Sequence, residues 1–502
     1  MMTRALFSLA VAVPLALYAQ FGWLKKDEFT PSNRLSGVGV DREKISDLVL
    51  ERRTALMVES QTFAIMRDPQ SLAGAERITG PKLSRIFGTA SQQSGLPASF
   101  ISAISYLESW GIANAESPAG PKGIMQIAGA TARVMGLKVV YATRYKMSTE
   151  RRLVKRKKGK PVWTTVRRKI PYTVLVRDER MVPERAIPAA ANYLARLEQR
   201  YGGRDWAVFA YHCGEGCAAE VRSIAQRASG VGEGASVAKV FFGANPAHNR
   251  ELYQTLRYHM DRDFSPTYFF RIRRAEQLLG LYKEEPEEFK KLFYQYRNQV
   301  DPNARAPHRL SVWLRPDDLA YKNCEDIRKD TGKALVEAFD DPKYFGFSLR
   351  RSMIGVDDPK NRDLYYQATP ATIGAIAYIS FETRRLFEAM KPKKEQWTPL
   401  DITALVQPLD YEERIATKGV ARKGEMPAHC TGQVFDIALN NLPPGEREAL
   451  DFVLDDLGWS GYVGFVKESL HADTIHVGAA PTARDFFAKV YREAASNGKS
   501  SD

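Results

Sequence analysis

Glu108 is the residue around which the chemistry of this chain can be organised. It closes an apolar run in which Phe100, Ile101, Ile104 and Leu107 recur at the spacing of one helix face, and Pro97 suits the start of that helix. A small-residue loop follows, Ser117-Pro118-Ala119-Gly120, and Gly123-Ile124-Met125-Gln126-Ile127 then opens another apolar segment. Apolar neighbours desolvate a carboxyl group, which favours its neutral form and holds its proton toward neutral pH. Such a group is a general acid, able to protonate a leaving oxygen as its bond to carbon breaks.

A second group of residues could hold a metal. Three of the seven histidines lie between positions 429 and 476. His429 precedes Asp436 by seven positions, and His476 sits in the β-prone stretch Asp473-Thr474-Ile475-His476-Val477. Two imidazoles and one carboxylate make a three-ligand zinc site with a fourth position open to water.

The elements that must position these groups differ along the chain. Helical periodicity is clear from Lys82, resumes over Ala186–Leu197 and Trp206–His212, and continues through Tyr268–Ile272. It is broken by 146–176, where Trp163-Thr164-Thr165-Val166 and Tyr172-Thr173-Val174-Leu175-Val176 predict a hairpin-like insertion. That insertion carries the basic run from Arg151 to Lys160, and either lines a groove or is a solvated excursion. Residues 284–393 show helical stretches interrupted by Pro302, Pro307, Pro316, Pro342 and Pro359, and read as a connecting region. From about Trp397 strand-like and helical segments mix, predicting a compact α+β unit.

With 502 residues and 44 % apolar composition, two to four folded domains are expected and general disorder is not. Arg4, the apolar run Ala5–Ala19 and the small-residue site Leu17-Tyr18-Ala19 predict a cleaved secretory signal; an uncleaved anchor is the other reading. Export would permit disulfides. Cys213 and Cys217 lie close enough for a loop-clamping bridge, and Cys324 with Cys430 is a second pairing that sequence leaves open. The net charge of +14 suits an anionic polymer or membrane surface, or simple solubility. No recognisable nucleic-acid-binding motif is present.

Taken together, Glu108-Ser109, the Ser117–Gly120 loop, Gly123–Ile127, Tyr193-Leu194 with Leu197, and Ala210-Tyr211-His212-Cys213-Gly214-Glu215-Gly216 resemble the soluble lytic transglycosylase family of lysozyme-like folds over about 85–275. The resemblance implies that Glu108 first protonates the bond after an N-acetylmuramic acid residue. It then takes the proton of that sugar's 6-hydroxyl, leaving a 1,6-anhydro end. It also implies substrate-binding roles for Ser109, Met125, Gln126, Tyr211, His212 and Tyr268, with Ser109 orienting the glutamate and Tyr211 holding substrate or positioning Glu108. No cofactor is implied. His212 stands where the family has Asn, and Cys213 where it has a small Ala. A hydrolytic muramidase is the competing enzyme. It usually needs a second carboxylate, for which Glu116 is nearest in sequence.

Residues 400–480 are similar to the zinc D-alanyl-D-alanine peptidase superfamily through His429, Thr431-Gly432, Asp436 and His476. The resemblance implies Zn2+ on His429, Asp436 and His476, and a catalytic base just before the last ligand, for which Asp473 and His471 are the candidates. Pro427 replaces the family's serine and Gln407 its activating arginine. Three readings stay open: an active zinc peptidase, a zinc-bound structural or murein-binding unit, and a metal-free domain.

The expected fold class is therefore multidomain: a mainly α lysozyme-like domain with a basic β-prone insertion, plus a C-terminal α+β zinc-peptidase-like domain. The expected order is signal peptide 1–19, helical or linker segment 20–84, lysozyme-like domain 85–275, helical connector 276–395 and peptidase-like domain 396–495. The expected partner is peptidoglycan, with other cell-wall enzymes as further candidates. A non-catalytic murein-binding scaffold is the alternative from another class.

Overall fold

Two units built from non-contiguous chain make up the protein. A computed structural model describes residues 28–35, 46–154, 160–260, 267–298, 318–391, 394–417, 428–466 and 473–498. The expected signal peptide, the peptidase-base candidate His471 and Pro427 lie outside the described residues.

The first unit is helical: α1 (Asp47–Met66), α2 (Gln70–Thr79), α3 (Pro81–Ser94), α4 (Ala98–Ser109), α5 (Gly129–Val134), α6 (Pro183–Tyr201), α7 (Arg204–Cys213), α8 (Glu215–Arg227), α9 (Val237–Gly243), α10 (Arg250–Met260), α11 (Tyr268–Glu284) and α12 (Pro286–Asn298). Helix α4 is its centre. Phe100, Ile101, Ala103, Ile104 and Tyr106 are all buried, so the helix is packed on most sides. Full burial of an isoleucine contributes about 1.5–3 kcal/mol. The helix stops because Trp110 turns left-handed at φ 53° and Gly111 follows at φ 75°. Tyr106 packs edge-on against the Trp110 ring at 4.7 Å and shares a hydrogen bond with Ser71 on α2, which fixes this end of α4 in the core.

A single hairpin interrupts the helices. Strands β1 (Val139–Val154) and β2 (Val162–Asp178) pair antiparallel along their whole length, so it is longer at its base than the expected 146–176. The earlier part, Val139–Tyr145, begins shortly after α5, past the turn at Gly136, whose φ is 76°.

The second unit has α13 (Cys324–Asp330), β3 (Val336–Glu337), α14 (Pro342–Phe345), β4 (Phe347–Leu349), β5 (Gln367–Ala368), α15 (Pro370–Met390), β6 (Leu400–Ala404), α16 (Leu409–Thr417), β7 (Val434–Ala438), α17 (Pro444–Trp459), β8 (Val463–Val466), β9 (Thr474–Ala479) and α18 (Arg484–Gly498). Its main sheet has the order β4-β6-β7-β9-β8, with β4 parallel to β6 and the other neighbours antiparallel. Helix α15 is buried nearly all round and packs on α18. A Cβ on Gly374 would lie 1.9 Å from the Phe487 carbonyl oxygen, so glycine lets these two backbones touch.

The boundaries differ from those read in the sequence. The second half of the expected connector, 318–391, supplies strand β4 and the central helix α15 of the C-terminal unit. Residues 28–35 also dock there: Phe29 N–H donates to the Tyr344 carbonyl, and Glu28 pairs with Arg384 at 2.6 Å. Helices α1–α3, by contrast, pack within the helical unit. The two units meet along α17, where Arg53 and Asp456 form a buried 2.6 Å ion pair and Trp459 packs on Phe241 and Phe242.

Candidate active site and metal cluster

Glu108 lies half-buried in the last turn of α4, beside the left-handed Trp110. The Tyr268 hydroxyl, from the first residue of α11, donates a hydrogen bond to Glu108 Oε1. Burial, then the Glu108 charge, holds the Tyr268 phenol far above its ordinary range, so it remains a donor. The His212 ring stacks on Tyr268 with centroids 3.9 Å apart and planes 8° apart. Tyr211, raised in the same way by burial and then by Glu108, donates to the Met125 carbonyl at 2.8 Å. Glu108, Tyr211, His212 and Tyr268 are thus brought together from α4, α7 and α11.

The loop opposite is held by backbone geometry. Gly123 has φ 82°, and a Cβ there would lie 1.8 Å from the Arg180 carbonyl oxygen, so only glycine fits. Its N–H donates to the Ala115 carbonyl at 2.7 Å. Gln126 is also left-handed, at φ 45°, and its amide donates to the Gly123 and Ala115 carbonyls at 2.9 and 3.3 Å. The amide therefore braces the loop rim.

Two expected substrate contacts are corrected. The Met125 side chain is fully buried, so Met125 reaches the site only through the carbonyl that Tyr211 grips. Ser109 is buried too, and its hydroxyl donates to the Ile124 carbonyl at 2.9 Å, with the Ser105 carbonyl at 3.2 Å as the alternative acceptor. It ties the loop to the helix and bonds neither Glu108 nor an open cleft. Glu116 pairs with Lys122 at 3.0 Å. Glu215 accepts from Tyr193 at 2.8 Å and is paired with Arg200, a brace beneath the α7–α8 turn that the motif spacing alone did not reveal. Cys213 and Cys217 are thiols in side-chain contact, the Cys324 thiol lies 3.4 Å from the Tyr365 hydroxyl, and neither a Cys213–Cys217 nor a Cys324–Cys430 bridge is formed.

The second cluster forms on the C-terminal sheet. Asp436 on β7 and His476 on β9 are direct cross-strand partners, so both point to one face. His429 arrives from the short 3-10 turn Ala428–Thr431 that leads into β7. Asp436 Oδ1 lies 2.6 Å from His476 Nδ1 and 3.0 Å from His429 Nε2, and the two imidazole nitrogens are 3.3 Å apart. That oxygen is buried and makes no hydrogen bond of normal geometry, so the three atoms converge on a common point. His429 Nδ1 donates to the Leu405 carbonyl at 2.9 Å, which leaves Nε2 as the ligand atom of the neutral ring. Burial alone would lower the His429 pKa, but the Asp436 carboxylate overrides it and pushes it up to about 9. The same pairing holds Asp436 well below the usual carboxylate range against its own burial. The donor set, two nitrogens and one oxygen, suits Zn2+.

Asp473 does not join them. It is exposed, lies in a bend just before β9, and is not among the three grouped ligand atoms. The carboxylate that sequence reasoning missed is Glu412 on α16, buried and acting electrostatically on both His429 and Cys430. Its neighbours Tyr411 and Ile415 mark a buried helix face, the one signal that could have drawn attention to it.

Residues 85–152 and 163–230 match the family described as Transglycosylase SLT domain. Domains of that family are peptidoglycan lytic transglycosylases and work without a cofactor. No curated protein matches the chain.

Proposed function

We propose that this protein cleaves the β-1,4 bond between N-acetylmuramic acid and N-acetylglucosamine in peptidoglycan, leaving 1,6-anhydro-muramic ends. The observation that carries the proposal is Glu108, in a segment that matches the SLT family, with one oxygen fixed by Tyr268 beside the His212 ring. The Glu108 carboxyl proton passes to the glycosidic oxygen as the bond from C1 to that oxygen breaks. The carboxylate then accepts the proton of the muramic 6-hydroxyl while that oxygen closes on C1. No water is consumed. Tyr268 fixes the carboxyl group through both proton transfers, and Tyr211 fixes the loop wall through the Met125 carbonyl. Glu116, the nearest candidate in sequence for a hydrolytic second carboxylate, is paired with Lys122, which favours ring closure over hydrolysis. Purified murein cleared by the wild type and left intact by Glu108→Gln supports the proposal; clearing by both overturns it.

We further propose that the C-terminal unit binds Zn2+ through His429 Nε2, Asp436 Oδ1 and His476 Nδ1. Bound there, the ion supplies an acidified water suited to cutting a peptide crosslink. The Leu405 carbonyl fixes the His429 tautomer, and Glu412 adds negative charge beside the cluster. The protein is proposed to be exported, with residues 1–19 as its leader. N-terminal sequencing of the secreted chain tests that directly.

A further inference from the structure

The hairpin β1–β2 has no role in either reaction. At about 3.3 Å per residue its strands extend roughly 50 Å. Most of both strands is exposed, so the body of the protein covers neither face. The segment 139–178 contains thirteen Lys and Arg residues and two acidic ones, a net +11 within a chain of net +14.

The register sorts these residues. One face carries Tyr141, Tyr145, Met147 and Leu153 from β1, with Leu175 and Trp163 from β2, each 39–64 % exposed. Arg151, Arg167 and Lys169 stand on the same face, and it bears no acidic residue along the paired strands from Tyr141 to Leu175. Lys169 lies over the Tyr145 ring at 4.5 Å. Glu150 points to the other face, where it pairs with Arg152 and Arg168. A two-stranded ribbon exposed on both sides is marginal in water, and apolar side chains alternating with lysine and arginine suit an interface that is oily below and anionic above.

We propose that this hairpin is an arm that docks the protein on an anionic phospholipid bilayer. Leu153, Trp163, Tyr145 and Met147 enter the headgroup boundary, while Arg151, Arg167 and Lys169 meet lipid phosphates. A hydrated glycan would engage the rings and charges but offers nothing to Met147 or Leu153, which is why a lipid surface fits better. The arm is rigidly rooted. Buried Arg180, just past its end, pairs with Asp178 at 2.6 Å and donates to the Ile127 carbonyl at 3.1 Å, on the loop that carries Gln126. Docking therefore sets the distance between the Glu108 cleft and the bilayer.

The test is co-sedimentation of the full chain with vesicles of phosphatidylglycerol and phosphatidylcholine in equal parts, against phosphatidylcholine alone. The wild type binds the anionic vesicles in a salt-sensitive way. Arg151→Gln/Arg167→Gln/Lys169→Gln weakens that binding on the order of a hundredfold, roughly fivefold per charge, and leaves clearance of soluble murein unchanged. Leu153→Ser/Trp163→Ser weakens it as well and removes the quenching of tryptophan fluorescence by brominated lipid. Wild-type vesicle binding that is absent, or that both variants retain, overturns the proposal. So does a loss that falls on binding to isolated murein, or on a concentration-dependent dimer, instead of on vesicles.

Discussion

Tyr268 donates its hydroxyl to Glu108 Oε1 across 160 residues of sequence, and the His212 ring lies flat on the Tyr268 ring. This contact joins the first residue of α11 to the last turn of α4. It gives the Glu108 carboxyl group, the proposed proton donor, a fixed direction.

Tyr268→Phe keeps the ring, the packing on His212 and the fold, and removes only the donor. A hydrogen bond to a charged group contributes about 1.5–3 kcal/mol, so kcat on murein falls roughly ten- to a hundredfold with KM little changed. Steady-state release of muropeptides measures both. A raised KM at constant kcat would instead make Tyr268 a plain sugar-binding residue.

Ser109→Ala separates a structural role from a catalytic one. The lost bond leaves the Ile124 carbonyl with only the longer 3.4 Å bond from the Ser105 hydroxyl, and unfolding free energy falls by about 0.5–1.5 kcal/mol, read from urea melts. Activity per folded molecule stays within a few-fold of wild type. A large loss of kcat at unchanged stability would restore the expected role of Ser109 in orienting Glu108.

How much of this was legible in the sequence follows from the geometry of each residue. The motif around Glu108 marked the proposed acid and its loop, because small residues and left-handed turns leave a readable pattern. The same pattern misassigned Met125 and Ser109: residue identity does not say which way a side chain points when Gly123 and Gln126 both turn left-handed. Tyr268 was found only by resemblance, since nothing local in Thr267-Tyr268-Phe269 announces a partner on α4. The C-terminal group of His429, Asp436 and His476 was legible because two of them lie on strand-like segments and face each other across β7 and β9. Residues 318–391 were not, because strands of two or three residues show no alternation and α15, buried nearly all round, shows no polar stripe.

Glu446 gives the C-terminal unit a measurable pH dependence. Its Oε2 accepts from the Thr398 N–H and hydroxyl, yet burial, helped by Glu395 and Asp401, pushes its pKa up to about 7. Between about pH 4.5 and 7 the folded chain keeps a proton that the unfolded chain has released, so stability falls as pH rises through that window. Glu446→Gln removes this slope and stabilises the protein by about 2–3 kcal/mol above pH 7, with little gain at pH 4.5. Urea midpoints across the window check it; an equal shift at every pH would contradict it.

Zinc binding is tested by metal analysis of the purified full chain. About one zinc per chain is expected at neutral pH, lost in Asp436→Ala and in His476→Ala and retained in Asp473→Asn, given the three-atom convergence at Asp436. Equal metal content in all four proteins would remove the peptidase reading.

The central claim is the chemistry at Glu108. Mass spectrometry of murein fragments released by the wild type and by Glu108→Gln tests it most directly. Fragments ending in 1,6-anhydro-muramic acid from the wild type, and none above background from the variant, are the result this account predicts. Reducing-end muramic acid as the main product, or anhydro ends still released by Glu108→Gln, would contradict it.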